Sequence, residues 1–170
     1  WVLTQPEIRV VNMSLGGAGD PSSNSMLQDA IDAAIEAGIV VCIAAGNDAT
    51  DTAGFIPAGY DKGIVVSAYD AYGGDNGFAY FSNYGDAVDI AAPGMTITST
   101  YPDGTYAALS GTSMATPHVA GAAAAYIAKY PDLSPAEVLS DMLTAAEDGV
   151  AGQGGDHPEP LLDVGALIGN

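Results

Sequence analysis

Two runs of sequence, Ile8-Arg9-Val10-Val11-Asn12-Met13 and Ile39-Val40-Val41-Cys42-Ile43-Ala44, bracket a helical pattern and decide how this chain folds. The first is rich in β-formers and leads into a glycine-containing turn. The second is continuously apolar, as a strand covered on both faces is. Between them Leu27, Ala30, Ile31, Ala34 and Ile35 recur at helical spacing, with capping residues from Ser22 to Ser25 and Gly38 where a C′ glycine belongs. Residues 8 to 45 therefore read as a βαβ unit, with a right-handed crossover and parallel pairing. The expected class is α/β, with a mainly parallel central sheet flanked by helices.

Further along, Asp48 to Lys62 is rich in Gly, Thr, Asp and Pro and predicts loops, and Ile64 to Ala68 gives a third strand. Asp70 to Asn83 has no helical period and predicts a polar surface excursion before a short buried strand at Ala87 to Ala91. Thr96 to Thr100 and Tyr106 to Leu109 flank Pro102-Asp103-Gly104, which is hairpin chemistry. Met114 to Tyr130 is Ala-rich, with Pro117 early and small residues on nearly every face, the pattern of a centrally buried helix. Ser134-Pro135-Ala136-Glu137 opens another helix with a capping box and runs to about Ala146. Gly149 to Gly155 reads as a flexible loop before a terminal segment, Leu161 to Ile168.

The 170 residues suffice for one compact domain, and 48% of them are hydrophobic, which argues against disorder despite the charge. Twenty-one acidic residues face only Arg9, Lys62 and Lys129, for a formal net charge of −18. Nucleic acid is excluded as a partner on that balance. No long apolar run predicts a membrane span, and the opening at Trp1 without a leader reads as a processed or truncated piece. Such a surface repels itself at low ionic strength and suits a salt-rich, halophilic source. Cys42, the one cysteine, reads as a buried, inert thiol.

Ser113 stands at the entry of the Ala-rich helix, where unpaired N–H groups and the positive dipole end favour an anion. Taken alone, a serine there is more often a cap. Its neighbours change that meaning: Gly111-Thr112-Ser113-Met114-Ala115-Thr116-Pro117-His118-Val119-Ala120-Gly121 closely resembles the nucleophile motif of the subtilisin-like serine proteases, the subtilases. The resemblance assigns the acylated nucleophile to Ser113. Ala44-Ala45-Gly46-Asn47 resembles the family's oxyanion-hole motif, which gives Asn47 the role of side-chain donor. Ser14-Leu15-Gly16-Gly17 resembles the substrate-binding segment that pairs with the peptide as an added strand. Ser14, Leu15, Gly16, Ala45 and Gly46 are thereby the expected substrate-binding residues.

Ile56-Pro57-Ala58, Phe81-Ser82-Asn83-Tyr84-Gly85 and Asp89-Ile90-Ala91-Ala92-Pro93-Gly94 extend the likeness over nearly the whole chain. By that analogy Pro57 is a cis proline beside the specificity pocket, and Phe55 narrows the pocket toward smaller side chains. No metal is assigned as a catalytic ligand; Asp89 is placed near a weak cation site. The resemblance implies a partial subtilisin-like three-layer fold and a secreted serine endopeptidase acting on polypeptides. It implies no cofactor for the chemistry, although structural calcium is compatible with it.

The family's other triad members come from an Asp-Thr/Ser-Gly motif and a His-Gly-Thr motif upstream of the Ser-Leu-Gly-Gly block, and neither is in this sequence. Residues 1–170 thus read as the C-terminal portion of one peptidase domain, whose N-terminal part is a required partner, and the chain alone as nearly inert. His118 belongs to the nucleophile helix with an expected packing role, and His157 lies in a Gly/Pro-rich loop. Neither matches the general base, and Asp75-Asn76-Gly77 reads as an ordinary turn. The rival reading is a noncatalytic binding or surface module that retains the scaffold. An α/β-hydrolase lacks its G-x-S-x-G elbow here, and a dinucleotide site at Ser14 to Gly19 lacks the G-x-G-x-x-G spacing.

Overall fold

The computed structural model describes residues 1–23, 25–73, 77–148 and 158–169. In chain order its strands and helices are β1 (Val10–Met13), β2 (Gly17–Ala18), α1 (Ser25–Glu36), β3 (Val40–Ala44), β4 (Phe55–Ile56), β5 (Ile64–Tyr69), β6 (Ile90–Pro93), β7 (Ile97–Tyr101), β8 (Thr105–Leu109), α2 (Thr112–Lys129), α3 (Pro135–Ala145) and α4 (Val164–Ile168). The sheet runs β1-β3-β5-β6 and every pairing in it is parallel.

Alternation along the central strands divides the core into two layers. Val40 and Cys42 of β3, with Ile64, Val66 and Ala68 of β5, face α2 and α3 through Val119, Ala123, Val138 and Met142. Val41 and Ile43 of β3, with Val65 of β5, face the other way, onto Ile31, Leu27 and Ile35 of α1. Side chains of period two on a sheet buried on both faces require this split, and it explains why these strands carry no polar alternation. Burial also pushes the Cys42 thiol up to about 12, so it is inert as expected.

The predicted α1, β7–β8 hairpin, α2 and α3 are all present, and Ser134 and Glu137 close the capping box reciprocally. Three expectations shift. The strand expected over Ala87 to Ala91 is β6, beginning at Ile90, because Val88 N–H turns back onto Gly85 O at 3.0 Å, which spends Ala87 and Val88 in that turn; Asp89 N–H is the first to reach β5, at Val65 O. A two-stranded antiparallel ribbon, β2 with β4, lies where only loops were read; two-residue strands give no periodicity. Helix α2 is buried on one face only, since Gly121, Ala124, Ala125 and Ala128 are exposed. The expected Gly149 to Gly155 loop, His157, and Asp75 and Asn76 lie outside the described residues.

The two sheet edges differ. Along β6, Ala91 N–H donates to Pro160 O and accepts Leu162 N–H on its own carbonyl, both at 2.9 Å, so the terminal segment covers that edge. Strand β1 pairs with β3 alone among the described strands, and beside it an apolar groove of about 360 Å³ is lined by residues including Trp1, Leu3, Met13 and Leu27. Trp1 is 84% and Met26 82% exposed on this side.

Candidate active site

The carboxyl ends of parallel strands are where an open α/β sheet places ligands, and here β1 and β3 deliver Ser14 and Asn47 to the same place as the first turn of α2. A cleft of about 410 Å³ is lined by Ser14, Leu15, Gly16, Ala45, Gly46, Asn47, Phe55, Thr112 and Ser113, with others. All seven residues that the sequence marked for catalysis or substrate contact therefore border one cavity.

Ser113 is half-buried, and its hydroxyl donates to the Ser14 carbonyl at 3.3 Å. Ser14 replies through its own hydroxyl, which donates to the Ser113 carbonyl at 2.8 Å and accepts Asn12 Nδ2 at 3.0 Å. These bonds tie the end of β1 to the start of α2. Asn47 is exposed to the cleft, and its Oδ1 accepts from the Thr112 backbone N–H at 2.8 Å and the Thr112 hydroxyl at 3.1 Å. The oxygen end of the carboxamide is thus held and its NH₂ end is left to donate. Thr112 Oγ1 also accepts Gly46 N–H at 3.1 Å, so one buried threonine binds both residues of the Gly46-Asn47 pair. Its role was missed in the sequence, where Thr112 reads as a helix cap; the only signal was its place inside the motif.

Gly46 has φ +111°, and a Cβ there would run into Asn83 Nδ2, so this turn admits only glycine. Gly16, just before β2, is packed less tightly: a Cβ would lie 3.0 Å from Ile56 O of β4. The Ile56–Pro57 peptide is cis, and Phe55 lines the cleft.

His118 is not in this cleft. It sits on α2, exposed, with Nδ1 2.9 Å from its own helix's Met114 O, and it lines a separate groove under the β7–β8 hairpin. The expected packing role is therefore replaced by an open position. Asp89 lies just before β6, with Oδ2 accepting Val65 N–H at 2.8 Å. Burial pushes its carboxyl up to about 6, the Val65 bond opposes that rise, and Asp61 adds to it. Among the described residues no group of three or more His, Cys, Asp or Glu is arranged to hold a metal ion.

The family model described as "Subtilase family" matches residues 2–159. The chain belongs to the subtilase family. It is 46% identical over 147 residues to Subtilisin DY of Bacillus licheniformis, covering 84% of this chain and 51% of that one. It is 42% identical over 166 residues to the extracellular serine proteinase of Thermus sp. (strain Rt41A), covering 95% of this chain and 38% of that protein. Among solved structures, a cold adapted subtilisin-like serine proteinase superposes with a TM-score of 0.86 at 35% identity, over 95% of this chain and 57% of that one. This subtilase chain thus spans about half the length of such relatives or less, and its α/β fold is subtilisin-like with a mainly parallel central sheet.

Proposed function

We propose that this chain is the nucleophile-bearing, C-terminal portion of a secreted serine endopeptidase. In this reading Ser113 Oγ attacks the carbonyl carbon of a peptide bond and its proton passes to a histidine of the rest of the domain. As the C–N bond breaks, that histidine returns the proton to the departing amine, leaving an acyl-enzyme on Ser113, which water hydrolyses to release the acid and restore the hydroxyl. Asn47 Nδ2 and the Ser113 backbone N–H hold the developing oxyanion at the positive end of α2. Ser14, Leu15 and Gly16 on one side, and Ala45 and Gly46 on the other, bind the extended substrate. The single observation that carries the reading is that the Ser113 hydroxyl and the Asn47 carboxamide open onto one cleft.

The chain's partner is the remaining N-terminal part of the same domain. The bare β1 edge, the apolar groove beside it and the exposed small residues of α2 support a missing layer of the fold on these surfaces. Among the described residues the cleft offers a hydroxyl and a carboxamide and no imidazole, so the isolated chain is expected to be nearly inert. No cofactor enters the chemistry. Structural calcium, if bound, would take Asp89 as a ligand, although among the described residues no group of three or more His, Cys, Asp or Glu is arranged there to hold it. No helix among the described residues is long and apolar enough to cross a membrane; secretion is inferred from the extracellular relative.

The test uses the full-length protein. A fluorophosphonate should label Ser113 and peptide hydrolysis should disappear in Ser113→Ala while circular dichroism stays unchanged. In subtilisin the loss of the nucleophile costs about 2 × 10⁶ in turnover, and that magnitude belongs to subtilisin and is borrowed from it. Peptide turnover that survives in Ser113→Ala would overturn the assignment. Absence of labelling in the unsubstituted protein would favour the noncatalytic binding or surface module.

A further inference from the structure

Asn83 is fully buried, and both its side chain and its backbone N–H bond to the segment that carries Asn47. Its Nδ2 donates to Ala45 O at 3.0 Å. Its Oδ1 accepts from the backbone N–H groups of Asp48 at 2.9 Å and Thr50 at 3.2 Å. Its own backbone N–H donates to Gly46 O at 3.0 Å. The chain is gripped on both sides of Asn47 by one residue from another part of the sequence. The grip is anchored in turn: neighbouring Ser82 is buried, and its Oγ accepts Ala68 N–H of β5 at 3.0 Å.

We infer that Asn83 is a positioning residue for the Asn47 carboxamide, acting on oxyanion stabilisation through Asn47. This rests on the peptidase reading above and extends it to a residue outside the cleft. The physical argument is one of fit. A loop carrying an oxyanion donor must hold its backbone still, because a misplacement of about 1 Å costs about a hundredfold in rate. Ala45 N–H still bonds Val66 O of β5, but from the Ala45 carbonyl to residue 50 the chain leaves the sheet and loses the ladder that would otherwise satisfy its N–H and C=O groups. A carboxamide at position 83 supplies an acceptor for two N–H groups and a donor for one carbonyl. Aspartate keeps the acceptor and loses the donor; serine is too short for either. Gly46 is the mark of how closely the clamp shuts, since any side chain there would displace Asn83.

The experiment introduces Asn83→Ser and Asn83→Asp into the full-length protein, each with and without Asn47→Ala. Asn83→Ser should lower kcat by about ten- to a hundredfold with a smaller rise in KM, because Ala45 and Gly46 are held by the same residue, and Asn83→Asp should fall between it and the unsubstituted protein. Within the Asn47→Ala background the same substitutions should change kcat by less than about twofold, because no carboxamide remains to be misplaced. A full further loss in that background, or no loss without it, overturns the inference. Backbone amide exchange supplies a readout that needs no turnover. Asp48 and Thr50 N–H should lose protection in Asn83→Ser and keep it in Asn83→Asp, and equal protection in both overturns the clamp. If the unsubstituted protein cleaves no peptide, the peptidase reading fails, and the exchange result still decides whether Asn83 sets the loop that carries Asn47.

Discussion

Asn47 Oδ1 accepts two hydrogen bonds from Thr112, one from its backbone N–H at 2.8 Å and one from its hydroxyl at 3.1 Å, across 65 residues of sequence. The carboxamide of an oxyanion donor is useful only if its NH₂ points at the reacting carbonyl, and capturing the oxygen end prevents the flip that would turn it away. Thr112→Val keeps the backbone bond and removes the hydroxyl. That hydroxyl makes two bonds, donating to Asn47 Oδ1 and accepting Gly46 N–H, so we expect kcat of the complete enzyme to fall about five- to a hundredfold. An unaltered kcat in pre-steady-state and steady-state assays would show that the backbone bond alone orients Asn47.

Phe55 lines the cleft beside Ser113 and Asn47 as a half-buried ring. If the cleft receives the residue before the scissile bond, as proposed, a ring in that wall removes volume from its pocket. Phe55→Ala should shift kcat/KM toward peptides with aromatic or long apolar side chains at that position by about tenfold or more relative to alanine, in line with the worth of one to a few buried methylenes. A panel of peptides differing only at that residue measures it, and an unchanged order of preference would place Phe55 outside the specificity pocket.

Asp89 gives a pH-dependent stability whose sign is fixed by its environment. Burial first, then the nearby Asp61, hold its carboxyl at about 6, above the 3.8 of an ordinary aspartate, while the Val65 bond works in the opposite direction. Between about pH 4 and 6 the folded chain keeps a proton that the unfolded chain has released, so stability falls as pH rises through that window. Above it the ionised carboxylate is a standing cost. Asn at this position retains an acceptor for Val65. Asp89→Asn should therefore raise the melting temperature by several degrees at about pH 7.5 and hardly at all at about pH 4, in chelator-containing buffer. Equal shifts at both values would refute the assignment.

The surface charge gives a fourth expectation. Net charge is −18, and few carboxylates are neutralised: Arg9 gives its guanidinium to the carbonyls of Pro131, Leu133 and Gly38, and Lys129 to Ile168 O. Lys62 reaches Asp32 at 3.7 Å. Repulsion among the remainder is screened only within a Debye length, about 30 Å at 0.01 M salt and 3 Å at 1 M. Structure should be lost below molar salt and restored above it, followed by circular dichroism. An unchanged spectrum in dilute buffer would contradict a halophilic origin.

Local signals made the layers legible. The continuous apolar run at β3 means a strand covered twice, with Val40 and Cys42 buried on one side and Val41 and Ile43 on the other; β5 is likewise buried throughout, and its one polar residue, Ser67, bonds to Glu159. The capping box at Ser134 and Glu137 was readable because it closes within one helical turn. The β2–β4 ribbon was not, because it joins Gly17 to Ile56 and leaves no period in either segment. Helix α2 misled for a related reason: small residues on every face mark a helix made to be covered, and the described residues cover half of it.

The sequence by itself determined the α/β class, the order of the main-sheet strands and long helices, and the two short motifs holding Asn47 and Ser113, because periodicity, caps and contiguous residues are local properties of a chain. Tertiary structure decided that Thr112 holds the Asn47 oxygen, that Asn83 clamps Ala45, Asp48 and Thr50, and that His118 faces away from the cleft. Those relations depend on where parallel strands end in space relative to the first turn of α2. Hydrogen bonds between residues tens of positions apart leave no spacing that a single sequence can display.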